Sequence, residues 1–460
     1  MRVTVGSEIC IQDPTPELLS WIRESLTVPN PEYSKKLRMG LWAGNTPAQI
    51  SLYRVDGNRL FIPCGAGKGL TRFLKDGTEI SQDLADNGII GYQGEVPLYG
   101  YQEEAVKAME AAGCGILKSP CGSGKTQIGI ALAASIGRKT LWVTHTQDLL
   151  QQSYSRAAQY LPESCLGKIS AGKVSVGSHM TFATVQTLSK LDLQKYKYTW
   201  DVVIVDECHR LAGSPSAVTM FYRVMSSLAA RCKYGLSATV HRSDGLIKST
   251  FAAIGGVAYT VPGEAVAEKT MQVQVHKVPT GIRPNRCILD TDGTLVYGKL
   301  IPYLTGSTER NGIIVKKLKE NKEHYNLVLS DRLGHLKALM KLLNAGEDAA
   351  MIDGKMTSKK GKAMREGAIE DVREGRRHYL FASYSLAKEG LDIPRLDRLY
   401  LTTPKKDYAV VTQSIGRISR RAEGKQDAVC YDFVDEIGFC QNQYRSRKTS
   451  YRKAGCRLVE

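Results

Sequence analysis

Short apolar runs alternate with longer amphipathic stretches along most of the chain. Between about Ala112 and Leu236, the runs Gly115–Leu117, Thr140–Val143, Thr181–Ala183, Val202–Val205 and Tyr234–Leu236 read as strands buried on both faces. Between them, Thr126–Ile136 and Gln147–Tyr160 read as amphipathic helices. Such alternation predicts a parallel sheet flanked by helices. A second series begins near Asn326, with strands expected at Asn326–Leu329, Ala349–Ile352, Tyr379–Ala382, Arg398–Leu401 and Ala428–Tyr431. The fold class is therefore α/β: two tandem parallel-sheet domains behind a small N-terminal α+β domain. The expected boundaries are 1–95 for the front domain, read as an accessory, DNA-binding domain, 96–255 for the first sheet domain and 326–440 for the second. A connector spans 256–325, where Cys287–Leu289 and Thr294–Tyr297 flank Asp292-Gly293, a hairpin turn signal. Residues 441–460 form a basic tail.

Composition narrows the class of partner. The 460 residues include 63 Lys and Arg against 46 Asp and Glu, a net charge of +17 that suits a polyanion, because each neutralised phosphate releases condensed counterions. Eleven cysteines form no Cys-x-x-Cys pair, which argues against a zinc knuckle and against a disulfide framework. Thiols such as Cys121 and Cys208, set within candidate motifs, imply a reducing compartment. No apolar run approaches the ~18 residues that span a bilayer, and Met1–Val5 lacks the apolar core of a signal peptide. The expectation is a cytoplasmic protein, in the host cytoplasm if phage-encoded, with no membrane partner.

Two motifs in the first sheet domain carry chemistry. Ser119-Pro120-Cys121-Gly122-Ser123-Gly124-Lys125-Thr126 follows a strand and opens a helix, the context of a phosphate-binding loop. Gly122, Ser123 and Gly124 let backbone N–H groups turn inward, and the helix N-terminus adds positive potential. Lys125 would reach the β- and γ-phosphates of ATP, and the Thr126 hydroxyl would ligate Mg²⁺. Ser119 stands where the strict pattern has glycine. Downstream, Val202–Val205 ends in Asp206-Glu207-Cys208-His209. Two acids at the end of a buried strand are costly unless they meet a cation. Asp206 would hold the Mg²⁺ shell, and Glu207 would orient and deprotonate the attacking water. In the second domain, Arg417 and Arg420 lie three residues apart, on one face if helical, and the arginine fork suits a γ-phosphate.

Together these residues resemble superfamily 2 helicases over about Leu98 to Glu436. Leu98–Gln102 is similar to the motif whose glutamine reads adenine, so the resemblance implies that Gln102 selects ATP. Ser119–Thr126 corresponds to motif I, Asp206–His209 to motif II (a DECH box) and Ser237-Ala238-Thr239 to motif III, which couples hydrolysis to movement. Glu389-Gly390-Leu391-Asp392-Ile393-Pro394 looks like motif V, implying nucleotide contacts from Gly390 and Asp392. Gln413–Arg420 looks like motif VI, so Gln413, Arg417 and Arg420 would act in hydrolysis, the arginines as fingers reaching across a cleft between two RecA-like lobes. Ser237–Gly245 resembles the extended motif of the XPB and UvsW group of DNA translocases, with Val240 where that group has proline. The layout is similar to the branch-migration helicases of large tailed phages.

The resemblance implies an ATP-dependent motor on DNA, remodelling forks and four-way junctions in recombination, repair or replication, and compatible with a functional monomer. Its track would cross the loops after the strands: Thr144, His145, Thr146, Gln186 and Thr187 on the first lobe, Arg332 and Ser383–Lys388 on the second, with Arg242 of the extended motif. Such groups suit phosphate contacts that position without reading sequence. His209, with no second metal ligand at suitable spacing, reads as a relay between ATP and DNA. In the tail, Tyr444 and Tyr451 interleave with Arg445, Arg447, Lys448, Arg452 and Lys453 and would stack on bases or sugars. An RNA helicase, or the motor subunit of a restriction or defence complex, is the alternative.

Overall fold

The computed structural model describes residues 1–460 except 93, 121, 171, 211–214, 241–244, 268–269, 355, 357, 389–390 and 460, and the side chains of 215–219, 267, 359, 388 and 409. The chain divides into two compact units, Met1–Pro262 and Gly263–Glu460.

Among the described residues the first unit contains three sheets, the smallest being the antiparallel pair Thr27–Pro29 and Gln49–Ser51. The larger N-terminal one has five strands in the order Arg54–Asp56, Arg59–Ile62, Ile9–Gln12, Arg2–Val5, Glu79–Gln82, antiparallel except for the last pair. Helix Pro16–Ser25 covers it, started by the Thr15 side chain, which accepts from Leu18 N, and by a proline suited to the first turn. Leu18 and Ile22 pack there with Val3, Ile11, Leu60 and Ile62, and Leu246 and Ala252 from beyond residue 240 complete the same core. Residues 1–95 are thus not a separable domain. At Gly65 the two parts meet backbone to backbone: a Cβ there would lie 2.3 Å from Gly255 N and 2.5 Å from Phe251 O.

The largest sheet of this unit has eight strands. Their order is Lys173–Val174, Leu166–Ser170, Met180–Thr184, Thr140–Thr144, Val202–Asp206, Cys232–Ser237, Gly115–Lys118, Val257–Thr260. All pairings are parallel except that of Lys173–Val174 at the edge. Ser119, Thr144, Thr184, Asp206 and Ser237 therefore share one edge of the sheet.

The second unit holds seven parallel strands. They run in the order Ala349–Ile352, Tyr379–Ser383, Asn326–Ser330, Arg398–Leu401, Val429–Val434, Gln274–Pro279, Arg457–Val459. Three expectations change here. The connector dissolves: Val257–Thr260 is the edge strand of the first unit, and Gln274–Pro279 lies within the second sheet. The hairpin shrinks to one turn. Asp290 Oδ1 accepts from Asp292 N and Thr294 N, a single bridge joins Leu289 to Leu295, and a helix begins at Tyr297. The tail belongs to the fold, as helix Gly438–Lys453 and strand Arg457–Val459. Tyr451 is fully buried and donates to Asp432 Oδ2 (2.6 Å), and Arg447 holds both oxygens of the same carboxylate at 2.8 Å. Tyr444 is also buried, so Tyr444, Arg447 and Tyr451 are interior groups rather than a nucleic-acid surface. Among the described residues no helix is long and apolar enough to cross a membrane.

Candidate active site

The phosphate-binding loop is shaped by its glycines. Gly122 and Gly124 have φ of +85° and +77°, the left-handed region open to glycine, and helix Lys125–Ile136 starts at once behind them. Ser119 is buried and its hydroxyl meets that of Ser123 at 2.5 Å, while its N–H bonds to Ser237 O. It does not need a positive φ, which explains why serine serves where the strict pattern has glycine. Gln102 is only 2% exposed, and both ends of its amide are engaged: Nε2 donates to Ser123 O (2.8 Å) and Oε1 accepts from Tyr99 N (3.0 Å). These two bonds brace the loop. Tyr101, which sequence reasoning passed over, donates to the same Ser123 carbonyl.

Lys125 Nζ lies 3.7 Å from Glu207 Oε1. Glu207 has φ +47°, a strained conformation for a residue with a Cβ, and its N–H donates to Asp206 Oδ1 at 2.9 Å. Burial, and Glu207 alongside, push the Asp206 carboxyl up to about 7. The Glu207 carboxyl is buried too, but Lys125, His209 and Arg210 outweigh that burial and hold it low. An ionised Glu207 beside a lysine is the state a base for water requires. The left-handed glycines, the helix start, Lys125 and Thr126 fit a nucleotide's phosphates. A divalent cation beside Asp206 would restore that carboxyl to its ionised form.

From Glu207 a chain of contacts leads away. His209, buried, has Nδ1 3.3 Å from Glu207 Oε2 and 2.7 Å from Ser237 Oγ. Ser237 Oγ donates to Thr239 O (2.6 Å) and accepts from Thr239 N (3.1 Å). Its one proton being used, Nδ1 of His209 must carry the hydrogen between them. A second branch starts at Glu207 O, which accepts from Arg210 N (2.9 Å); Arg210 Nη1 donates to His145 Nε2 (2.9 Å), and Gln186 Nε2 donates to His145 O (3.0 Å). Thr146 caps helix Gln147–Ala157, and Thr187 shares a hydrogen bond with Thr184 (2.8 Å). Thr144, expected at the track, is instead fully buried and donates to Thr146 O.

In the second unit Gln413 is buried, in helix Tyr408–Ile418. Arg417 sits in that helix and donates to Ala387 O (2.7 Å) and Leu391 O (2.9 Å). Arg420 lies beyond the helix, bridged to Thr270 and paired with Asp392, so the two arginines do not share a helical face. Lys425, another residue without a sequence signal, donates to the carbonyls of Pro394, Leu396, Ile418 and Arg420, and burial lowers its pKa to about 8. Arg332 is exposed at the start of helix Leu333–Leu343. Gly390, Arg242 and the Lys388 side chain lie outside the described residues.

Phosphate loop, paired carboxylates and repeated parallel sheets define a P-loop nucleotide hydrolase with two RecA-like domains. Residues 95–242 match the family described as "Type III restriction enzyme, res subunit", and residues 309–422 match "Helicase conserved C-terminal domain". The chain belongs to the superfamily 2 helicases, and the matched domains are those of an ATP-dependent nucleic-acid helicase. It is 27% identical over 367 residues to "Putative ATP-dependent RNA helicase L396" of Acanthamoeba polyphaga mimivirus, covering 76% of this chain and 66% of that one. It is 24% identical over 346 residues to "Probable helicase D10" of Escherichia phage T5 (75% and 73% covered). The chain spans about two thirds of the length of the first of these relatives. Among solved structures, the type ISP restriction-modification enzyme LlaBIII bound to DNA shares the fold at a TM-score of 0.57 and 16% identity, covering 85% of this chain and 32% of that one.

Proposed function

We propose that this chain is an ATP-driven DNA translocase that prefers forked or branched duplex, as in fork regression and junction migration. The observation that carries the motor reading is the continuous contact path from Glu207 through His209 to Ser237 and Thr239, and through Arg210 to His145 and Gln186. ATP, bound with Mg²⁺, supplies the phosphoryl group. Lys125 offsets charge on its outer phosphates, Thr126 and Asp206 would hold the cation, and Glu207 orients the water and takes its proton. Arg417 and Arg420 carry the role in hydrolysis that the motif VI resemblance implies. DNA is favoured over RNA by the resemblance of Ser237–Gly245 to the XPB and UvsW group. The name of the mimivirus relative favours the second reading, an RNA helicase.

The test is ATPase and unwinding on a fork, a four-way junction, blunt duplex and single-stranded RNA. Forked DNA should stimulate most; stimulation by RNA alone would replace the DNA reading. Glu207→Gln should bind ATP but lose turnover by about 10²–10⁴-fold, and normal turnover would remove Glu207 from the chemistry.

A further inference from the structure

Beside the five-stranded N-terminal sheet stands a finger that the motor chemistry does not use. Strands Thr27–Pro29 and Gln49–Ser51 pair antiparallel as a small sheet of their own, and residues 30–48 run out from it and back. Asn30 closes the base of this excursion. Its backbone N–H donates to Ala48 O (2.9 Å), its Nδ2 to Pro47 O (2.8 Å), and its Oδ1 caps helix Pro31–Arg38 through Glu32 N (3.0 Å). The tip is held by Lys36, which donates to Thr46 Oγ1 (2.6 Å) and whose carbonyl accepts from Leu41 N (2.9 Å). Gly40, at φ +64°, makes the reversal.

This ordered finger shows its apolar side to solvent. Helix Pro31–Arg38 has no buried residue, and Leu37, Met39, Leu41 and Trp42 are 56%, 61%, 53% and 90% exposed. A contiguous group of large apolar side chains on a pre-organised element marks a contact site. The surrounding charge selects the occupant: Lys35, Lys36 and Arg38 cluster against a lone Glu32, on a chain of net charge +17. Cations beside a projecting aromatic ring are the combination that grips a phosphate backbone while stacking on a base. Apolar side chains of this size also act as wedges between base steps.

We propose that the 31–47 finger is a wedge for branched nucleic acid, with Trp42 stacking on the terminal base pair at a branch point and Lys35 and Arg38 on the adjoining phosphates. The proposal rests on the nucleic-acid motor reading above and adds to it a strand-separating element outside the motor motifs.

Full-length protein should be titrated with a fork and with a dumbbell duplex closed at both ends, without ATP. Trp42→Ala should bind the fork roughly tenfold more weakly, with less than a twofold change on the dumbbell, and Trp42→Phe should recover most of the loss. Of the four tryptophans, Trp142 and Trp200 are buried and Trp21 is half-buried, so iodide quenching reports chiefly on Trp42. The fork should protect that emission. An unchanged fork affinity, an equal loss on both DNAs, or a dimer abolished by Trp42→Ala would overturn the wedge while leaving the motor reading in place. A wild-type protein that binds neither DNA would instead remove the motor reading, and the wedge with it.

Discussion

Ser237 occupies a position where one hydroxyl serves three partners, and this sets its expected phenotype. Ser237→Ala removes the oxygen that His209 and Thr239 share. The distance unwound per ATP should then fall roughly tenfold more than ATP turnover, within the usual range of coupling free energies. Equal losses in both, read from parallel ATPase and unwinding assays, would make Ser237 a purely structural group. Lys125, Asp206 and Glu207 stand out in the sequence because Lys125 opens a helix behind a glycine-rich turn and the two acids stand at the end of a buried strand, motifs that are local in the chain. The Arg210–His145 contact does not, because its partners lie 65 residues apart and meet through strand order alone. Gln102 was legible only in part. Its motif was recognisable, but the hydrogen bonds that commit its amide depend on where the phosphate loop folds back.

At the scale of the element, ten of the fifteen described strands in the two domain sheets were readable because parallel sheets demand continuous apolar runs. The five that were not, such as Leu166–Ser170 and Gln274–Pro279, alternate apolar with polar residues or lie toward the sheet edges. The errors fell where polar residues play interior roles. The tail looked like a solvated basic surface, yet Arg447 is buried against Asp432, and nothing in the spacing of arginines reveals a buried carboxylate partner. Arg447→Ala should destabilise the protein by about 3–5 kcal/mol, since it strands a buried charge. Chemical denaturation would detect this, and a change below 1 kcal/mol would refute the account. Truncation after Asn442 should accordingly impair folding rather than simply weaken DNA binding.

His335 gives the second unit a pH signature. Its ring joins helix Thr308–Glu320 to strand Asn326–Ser330, through Asn311 (2.9 Å) and Ser330 (3.0 Å), and burial lowers its pKa from 6.5 to about 3. The unfolded chain takes up the proton below pH 6.5 while the folded one resists until about 3. Stability is therefore complete above pH 6.5 and drains away as the pH falls toward 3, by about 2 kcal/mol between pH 7 and 5. His335→Asn should flatten that slope in melts across this range. An unaltered slope would assign it to other groups.

For the whole molecule, the net charge of +17 suits a polyanionic partner without locating its contacts. Arg445, Arg452 and Lys453 remain exposed on the outer side of the terminal helix and are candidates for phosphate contact. For each one that touches a phosphate, replacement by alanine should flatten the plot of log affinity against log salt by about one unit. Identical slopes would place those contacts elsewhere.

The fusion of the N-terminal sheet to the first lobe has a mechanical consequence. Buried Lys233 ties Ser7 O (3.1 Å) to Met225 O (2.8 Å), Tyr222 donates to Glu8 (2.8 Å), Lys197 pairs with Asp83 (2.7 Å), and Leu246 and Ala252 of the lobe complete the core of the N-terminal sheet. These ties would make the N-terminal sheet follow any rotation of the lobe that carries the phosphate loop. A nucleic acid gripped at Trp42 would therefore feel each turnover as a displacement at the end of a stiff arm. Softening the mount with Lys233→Met should cost stall force before it costs speed.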